Sequence, residues 1–267
     1  MPFTNTFLRS PGQSLLTEIE DLNEKITEYI VCLLSVPLGI YAFYVSYLFV
    51  KQGGVKLSDL ELFWLVMSAV VGICLYKTSI LMAQRRRARL GYDGEIAVGQ
   101  ELSQLLRGGY YIFHDFPADK FNIDHIAVGR KGVFAIETKA RSKPTSEDRQ
   151  TDATVEYDGR ALHFPKCTDT RILEQAEHQE KWLSEWISSA IGEDIAARAV
   201  VALPGWYVKR TSSEGLPVVN PKQFGSFFEH VGPRDLSDEM IKQIVHQLDQ
   251  KSHDVEPVSN IYEEEKN

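Results

Sequence analysis

Cysteine is scarce in this chain of 267 residues, which has only Cys32, Cys74 and Cys167. The first two fall within long apolar runs and the third stands alone. Neither a disulfide framework nor a cysteine-rich zinc pattern can be built from them, and a reducing compartment fits. Positive charge is short as well. The whole chain carries a net −8, and from residue 90 onward 20 Lys+Arg stand against 30 Asp+Glu, a net of −10. A region that grips nucleic acid tightly and nonspecifically is normally basic. Attraction to a polyanion would therefore need a local basic rim, a metal ion or another subunit. A cleaved signal peptide is disfavoured too, because the first apolar run starts late and has no basic segment directly before it.

What the chain has in abundance is apolar sequence in two blocks. Residues 30–50 hold no charge, and residues 62–83 are interrupted only by Lys77. Each block can cross a hydrocarbon core about 30 Å thick at about 1.5 Å per residue. Pro37 and Gly39 are acceptable in a membrane helix. The competing reading, a pair of buried core helices, has to explain the missing polar face.

As a membrane hairpin, the two runs are joined by Lys51–Asp59. Lys51 and Lys56 in that loop face the cluster Arg85, Arg86, Arg87 and Arg89 after the second run. The positive-inside bias then places both the N-terminus and the C-terminal domain in the cytoplasm, with Lys77 snorkelling to the interface. A nucleic-acid contact is the other reading of the Arg cluster.

The expected organisation is a polar, amphipathic segment at 1–29, with Leu15, Leu16, Ile19, Leu22 and Ile26 at helical spacing, and the hairpin at 30–84. A soluble domain over 90–205, a helical extension over 206–250 and an acidic tail over 251–267 follow. In the domain, a helix over 92–107 carries Val98, Leu102, Leu105 and Leu106 on one stripe, with Glu95 on the same inward side. Strands are expected near 110–114, 123–128, 133–139 and 199–203, and a polar loop over 141–151. A hairpin turns at Asp158-Gly159, and helices run over 170–190, 221–230 and 236–249. This alternation predicts an α/β fold, a mixed sheet flanked by helices and preceded by two transmembrane helices.

The segment Asn122–Arg141 concentrates the chemistry. A turn at Gly129-Arg130-Lys131-Gly132 pairs Val128 with Val133, which sets Asp124 opposite Glu137 with β carbons about 5 Å apart. Lys139 shares the face of Glu137. Two carboxylates on one spot can hold a hard cation, Mg²⁺ or Mn²⁺, with the Thr138 carbonyl and waters completing the shell. Lys139 can stabilise developing negative charge, and Glu95 can orient or join the ligands. The bland alternative is a solvated cross-strand pair bridged by Lys139, and for Glu95 a helix-dipole contact in the first turn. His125 should point to the opposite face. Arg130, Lys131, Arg141, Lys143 and Arg149 are candidates to rim the site, or simply solvated surface. Trp182, Trp186 and Trp206 are expected as core anchors.

The stretches Gly91-Tyr92-Asp93-Gly94-Glu95, Ile123-Asp124-His125-Ile126 and Val133-Phe134-Ala135-Ile136-Glu137-Thr138-Lys139 resemble the nuclease-related domain, NERD. That family is placed in the PD-(D/E)XK, restriction-endonuclease-like superfamily. The resemblance implies a restriction-endonuclease-like sheet and a Mg²⁺- or Mn²⁺-dependent hydrolase acting on DNA, with RNA not excluded. It assigns Glu95, Asp124, Glu137 and Lys139 as catalytic residues. Gln175 resembles the glutamine of the later helix, although the helical wheel puts Gln179 nearer the centre of the apolar stripe. The alternative function is a non-catalytic binding or regulatory module tethered to the membrane. A homo-oligomer is compatible with either.

Overall fold

The hairpin at the centre of the sequence reading forms in the expected register. In the computed structural model, which describes residues 9–50, 57–143, 153–232 and 235–253, β2 (Asn122–Gly129) and β3 (Gly132–Thr138) pair antiparallel. Val128 stands opposite Val133 and His125 opposite Ile136. The loop expected at Lys51–Asp59, the polar loop at 141–151 and the acidic tail fall largely outside the described residues. Among the described residues the fold is mixed α/β, with five α-helices and two mixed sheets.

Two compact units emerge: Leu16–Arg89, and the residues from Leu90 on together with the described residues up to Leu15. The first unit is carried by α1 (Gln13–Val50) and α2 (Leu57–Ser103). The sequence suggested a break between the second apolar run and the helix that opens the domain; α2 instead runs without interruption to Ser103. Ala, Arg, Leu and Gln between residues 81 and 90 are strong helix formers. Gly91 and Gly94 each cost about 1 kcal/mol, too little to stop propagation. Both helices are long and apolar enough to cross a membrane. Their apolar side chains, such as Leu34, Phe43, Phe49 and Trp64, are exposed. The hydroxyls of Ser46, Ser68 and Ser79 donate to the carbonyls of Ala42, Leu65 and Leu75, which leaves few polar atoms needing water.

The second unit is built on a five-stranded sheet ordered β1-β2-β3-β7-β9, where β1 is Tyr111–Pro117, β7 Ala197–Ala202 and β9 Val218–Val219. Strands β1 to β3 are antiparallel neighbours, whereas β7 joins β3 in parallel, as does β9 with β7. A parallel neighbour needs a long crossover. The intervening chain supplies β4 (Thr154–Tyr157), β5 (Leu162–Phe164), β6 (Cys167–Asp169) and α3 (Arg171–Ile191). With β8 (Tyr207–Arg210), strands β4 to β6 make a second sheet ordered β6-β5-β4-β8. The Asp158-Gly159 hairpin forms as expected, and Asp158 Oδ1 accepts from the amides of Arg160 and Ala161 at 2.8 and 2.7 Å.

Every residue of β3 is buried because both sheet faces are covered. On one face Val133 and Ala135 pack with Leu183 and Ile187 of α3 and with Ile241, Ile244 and Leu248 of α5 (Asp238–His253). On the other, Phe134 and Ile136 meet Val98 and Leu102 of α2 and Phe224 and Phe228 of α4 (Phe224–His230). Burying each of these side chains contributes about 1.5–3 kcal/mol. The layering leaves the far end of β3, at Glu137 and Thr138, between α3 and the end of the β2 strand.

Candidate metal centre

Asp124 and Glu137 occupy the rung beyond His125–Ile136, where regular pairing ends. There the Thr138 amide, freed from the β2 ladder, donates to Asp124 Oδ2 at 2.7 Å. Thr138, whose carbonyl is the third candidate ligand, stands opposite Ala202 of β7, and the Lys139 amide donates to the Ala202 carbonyl at 2.9 Å. Parallel pairing to β7 thus fixes the end of β3 after β2 has let go. Glu137 is 3% exposed, and Asp124 is half-buried.

Helix α3 addresses Glu137 from the same face. Gln175 Nε2 donates to Glu137 Oε2 at 3.1 Å, and Gln179 Nε2 donates to the same oxygen at 2.7 Å. Gln175 and Gln179 are four residues apart and therefore one turn apart on one helix face. The choice between them dissolves, since both reach the carboxylate. Gln179 makes the shorter bond and is buried, with its Oε1 lacking a partner.

Glu95 arrives from α2, in the first helical turns of the second unit. A Cβ at Gly94 would lie 2.5 Å from the Cβ of Ala140, so glycine lets α2 close onto the chain just beyond Lys139. The next residue, Glu95, is 7% exposed and sits close enough to Glu137 and Asp124 for their charges to act on one another. The helix-dipole alternative for Glu95 fails on position, since α2 begins at Leu57, far upstream.

Three acids crowded into a dry place resist ionisation. Burial, then the charges of Glu137 and Glu95, pushes Asp124 well above the usual carboxylate range, against the Thr138 amide that favours the anion. Burial raises Glu137 to about 7, opposed by the Lys139 ammonium and the Gln179 hydrogen bond. Glu95 rises to about 8 through burial, then through the charges of Asp115 and Glu137, while a Gly12 amide hydrogen bond pulls it down. Such a cluster is stable when it holds protons or a cation.

The donor set suits a hard cation. Two carboxylates plus carbonyl and water oxygens is an arrangement Mg²⁺ accepts, because it dehydrates reluctantly. The buried Gln179 Oε1, without a partner, adds an uncommitted oxygen next to Glu137. Among the described residues no three His, Cys, Asp or Glu side chains form a ready-made cage.

Other candidates lie elsewhere. Arg130 and Lys131 sit on the β2–β3 turn, about 20 Å along the strand from Asp124 at about 3.3 Å per residue, and pair with Asp238 and Asp235. They cannot rim the site. Arg141 is bound to Asp169 and stacks over Phe164 at 4.5 Å from the ring centroid. Arg149 lies outside the described residues. His125 does point away from the acids, with its Nδ1 2.8 Å from that of His114. Trp206 is a core residue, while Trp182 and Trp186 stack half-buried, 6.0 Å apart, with Lys251 over them.

Sequence reasoning missed Asp115 and its partners at Arg9 and Ser14. No local pattern announces a contact so remote in sequence. No curated protein and no solved structure matches the chain. Residues 90–204, the stretch that supplies Glu95, Asp124, Glu137, Lys139 and both glutamines, match the family model of the nuclease-related domain, NERD.

Proposed function

We propose that the chain is a membrane-anchored, Mg²⁺- or Mn²⁺-dependent nuclease that hydrolyses phosphodiester bonds of DNA. The observation that carries it is the meeting of Asp124 and Glu137 at the frayed end of a hairpin, inside a segment that matches a nuclease-related domain. This reading takes the sheet as restriction-endonuclease-like. Asp124, Glu137 and the Thr138 carbonyl would hold the cation, with Glu95 orienting or joining them. A bound divalent ion supplies Lewis acidity toward the phosphate and acidifies a water. Lys139, close enough to lower the proton affinity of Glu137, stabilises negative charge on the phosphate oxygens. Gln175 and Gln179 both donate to Glu137 Oε2, which would leave its other oxygen available to a cation.

Purified full-length chain in detergent should cut DNA when Mg²⁺ or Mn²⁺ is present and stop when the ion is chelated. Cation binding without cutting of any DNA or RNA substrate would favour the tethered binding module, a reading supported by the net charge of −10 from residue 90 onward. Replacing Gln179 with Ala should lower cutting about 10-fold, and more than Gln175→Ala does, because the Gln179 bond is shorter and fully dry. Equal or reversed effects in a side-by-side assay would refute that ranking.

Anchoring rests on the two helices long and apolar enough to cross a membrane. The Arg85–Arg89 cluster beside the second of them supports a cytoplasmic nuclease domain, with the N-terminus on the same side. A reporter fused to the C-terminus and active only in the cytoplasm should therefore give signal; an outside-active reporter giving signal instead would overturn the orientation.

A further inference from the structure

Asp115 is a buried charge that the proposed chemistry does not use. It is 2% exposed and adopts φ +47°, the left-handed region that Asp and Asn tolerate better than other non-glycine residues. Its Oδ1 accepts from Ser14 Oγ at 2.8 Å and from Asn122 Nδ2 at 2.9 Å. Its Oδ2 accepts from the Ser14 amide at 3.1 Å and lies 3.7 Å from Arg9 Nη1, which also donates to the Asp115 carbonyl at 3.2 Å. One carboxylate thus ties the segment Arg9–Ser14 to the start of β2, two residues before Asp124.

That segment lies along one face of α2. Gly91, Glu95 and Gly99 are spaced four apart, so they share a face. A Cβ at Gly99 would come 2.6 Å from Pro11 Cγ, and one at Gly91 would come 3.1 Å from Leu15 Cδ1. The glycines leave a channel on both sides of Glu95, and the segment fills it. Gly12 adopts φ +69°, with room for a Cβ denied by Tyr92 at 2.8 Å, and in that conformation its amide donates to Glu95.

We propose that Arg9–Ser14 is a positioning strap: fastened by Asp115, it fixes the Glu95 carboxylate beside Asp124 and Glu137 through the Gly12 amide. The site is then completed by residues that lie far upstream in sequence of its catalytic strands. The inference rests on the reading of this cluster as a divalent-cation site. Asp115 acts through the strap and through Asn122, so it is a positioning residue and not a ligand.

The test uses the full chain in detergent with Mn²⁺ as probe, and compares Asp115→Asn, Ser14→Ala and Ser14→Thr with the unaltered protein. Asparagine keeps the shape and tolerates the backbone angle of Asp115 while removing its charge; threonine keeps the hydroxyl. Hydrogen exchange is followed in residues 9–15 and in β3, and Mn²⁺ affinity is measured by calorimetry. Asp115→Asn and Ser14→Ala should speed exchange in the strap, leave β3 protected, and weaken Mn²⁺ by about 10-fold or more, as loss of an orienting partner typically does. Ser14→Thr should keep both properties. A strap that exchanges freely in the unaltered protein overturns the inference. So does a variant whose strap is released and whose Mn²⁺ affinity is unchanged, even if its thermal stability falls. Should Asp115→Asn fail to fold, Ser14→Ala carries the same comparison. If the unaltered protein binds no Mn²⁺, the site reading itself fails and the strap's role with it.

Discussion

Asp124→Ala and Glu137→Ala, each made in the full chain, should cut DNA at least about a thousandfold more slowly than the unaltered protein, roughly 4 kcal/mol of lost transition-state stabilisation. The size follows from the donor count. A cation held by two carboxylates loses half of its anionic ligands with either change. The fold should survive. Both acids resist ionisation because burial and mutual repulsion oppose it, so removing one relieves a strain that the apo protein carries. Asp124→Asn and Glu137→Gln are the stricter variants. The asparagine keeps an oxygen for the Thr138 amide, and the glutamine keeps one for Gln175 and Gln179. Unchanged melting with lost cutting would isolate charge as the cause. Cutting near the unaltered rate in either alanine variant would remove this site from the mechanism. A fragment beginning at Leu90 is the wrong vehicle, since the described residues up to Leu15 pack in the same unit.

The part of this site that was legible in the sequence is the part carried by local pairing. Alternation and a Gly-flanked turn determine register, and register alone put Asp124 and Glu137 on one rung. The structure keeps that register through Val128–Val133 and His125–Ile136. Glu95 was readable because Val98 and Leu102 mark the inward stripe of its helix, and both are fully buried. The two glutamines were readable only as a choice, since a helical wheel does not say which of two residues on adjacent turns reaches an acid on a strand.

The remainder depended on tertiary context. Strands β6, β8 and β9 have three, four and two residues, too short for a period of two to show. The fusion of the second apolar run with the domain helix turned on cooperative propagation, which outweighs two glycines. Arg130 and Lys131 look like phosphate contacts by composition, yet the turn that makes the register also carries them to the wrong end of the hairpin. Asp115 was invisible for a different reason. Of its partners, Arg9 precedes α1 and Ser14 lies in its first turn, and nothing in either local sequence signals the other.

The acids also predict how a cation and a proton compete. Glu137 titrates at about 7 and Glu95 at about 8 in the folded protein, both raised from the value of 4.5 expected for an exposed glutamate. A carboxyl whose folded pKa is raised binds its proton more tightly folded than unfolded. The stabilisation it contributes is therefore complete below about 4.5 and is lost as pH climbs through about 7 to 8. Without a divalent ion, the melting temperature of the second unit should fall between pH 5 and pH 8.5. Mg²⁺ or Mn²⁺ needs the ionised acids, so it should restore stability at pH 8.5 and do little at pH 5. At a hundredfold excess over its dissociation constant the ion would contribute about 2.7 kcal/mol, a rise of about 5–10 °C for a unit of this size. Asp124→Asn should abolish the rise at pH 8.5 while leaving the ion-free melting temperature at or above that of the unaltered protein. An ion-dependent rise of equal size at both pH values, or one that survives Asp124→Asn, would place the cation somewhere other than among these three carboxylates.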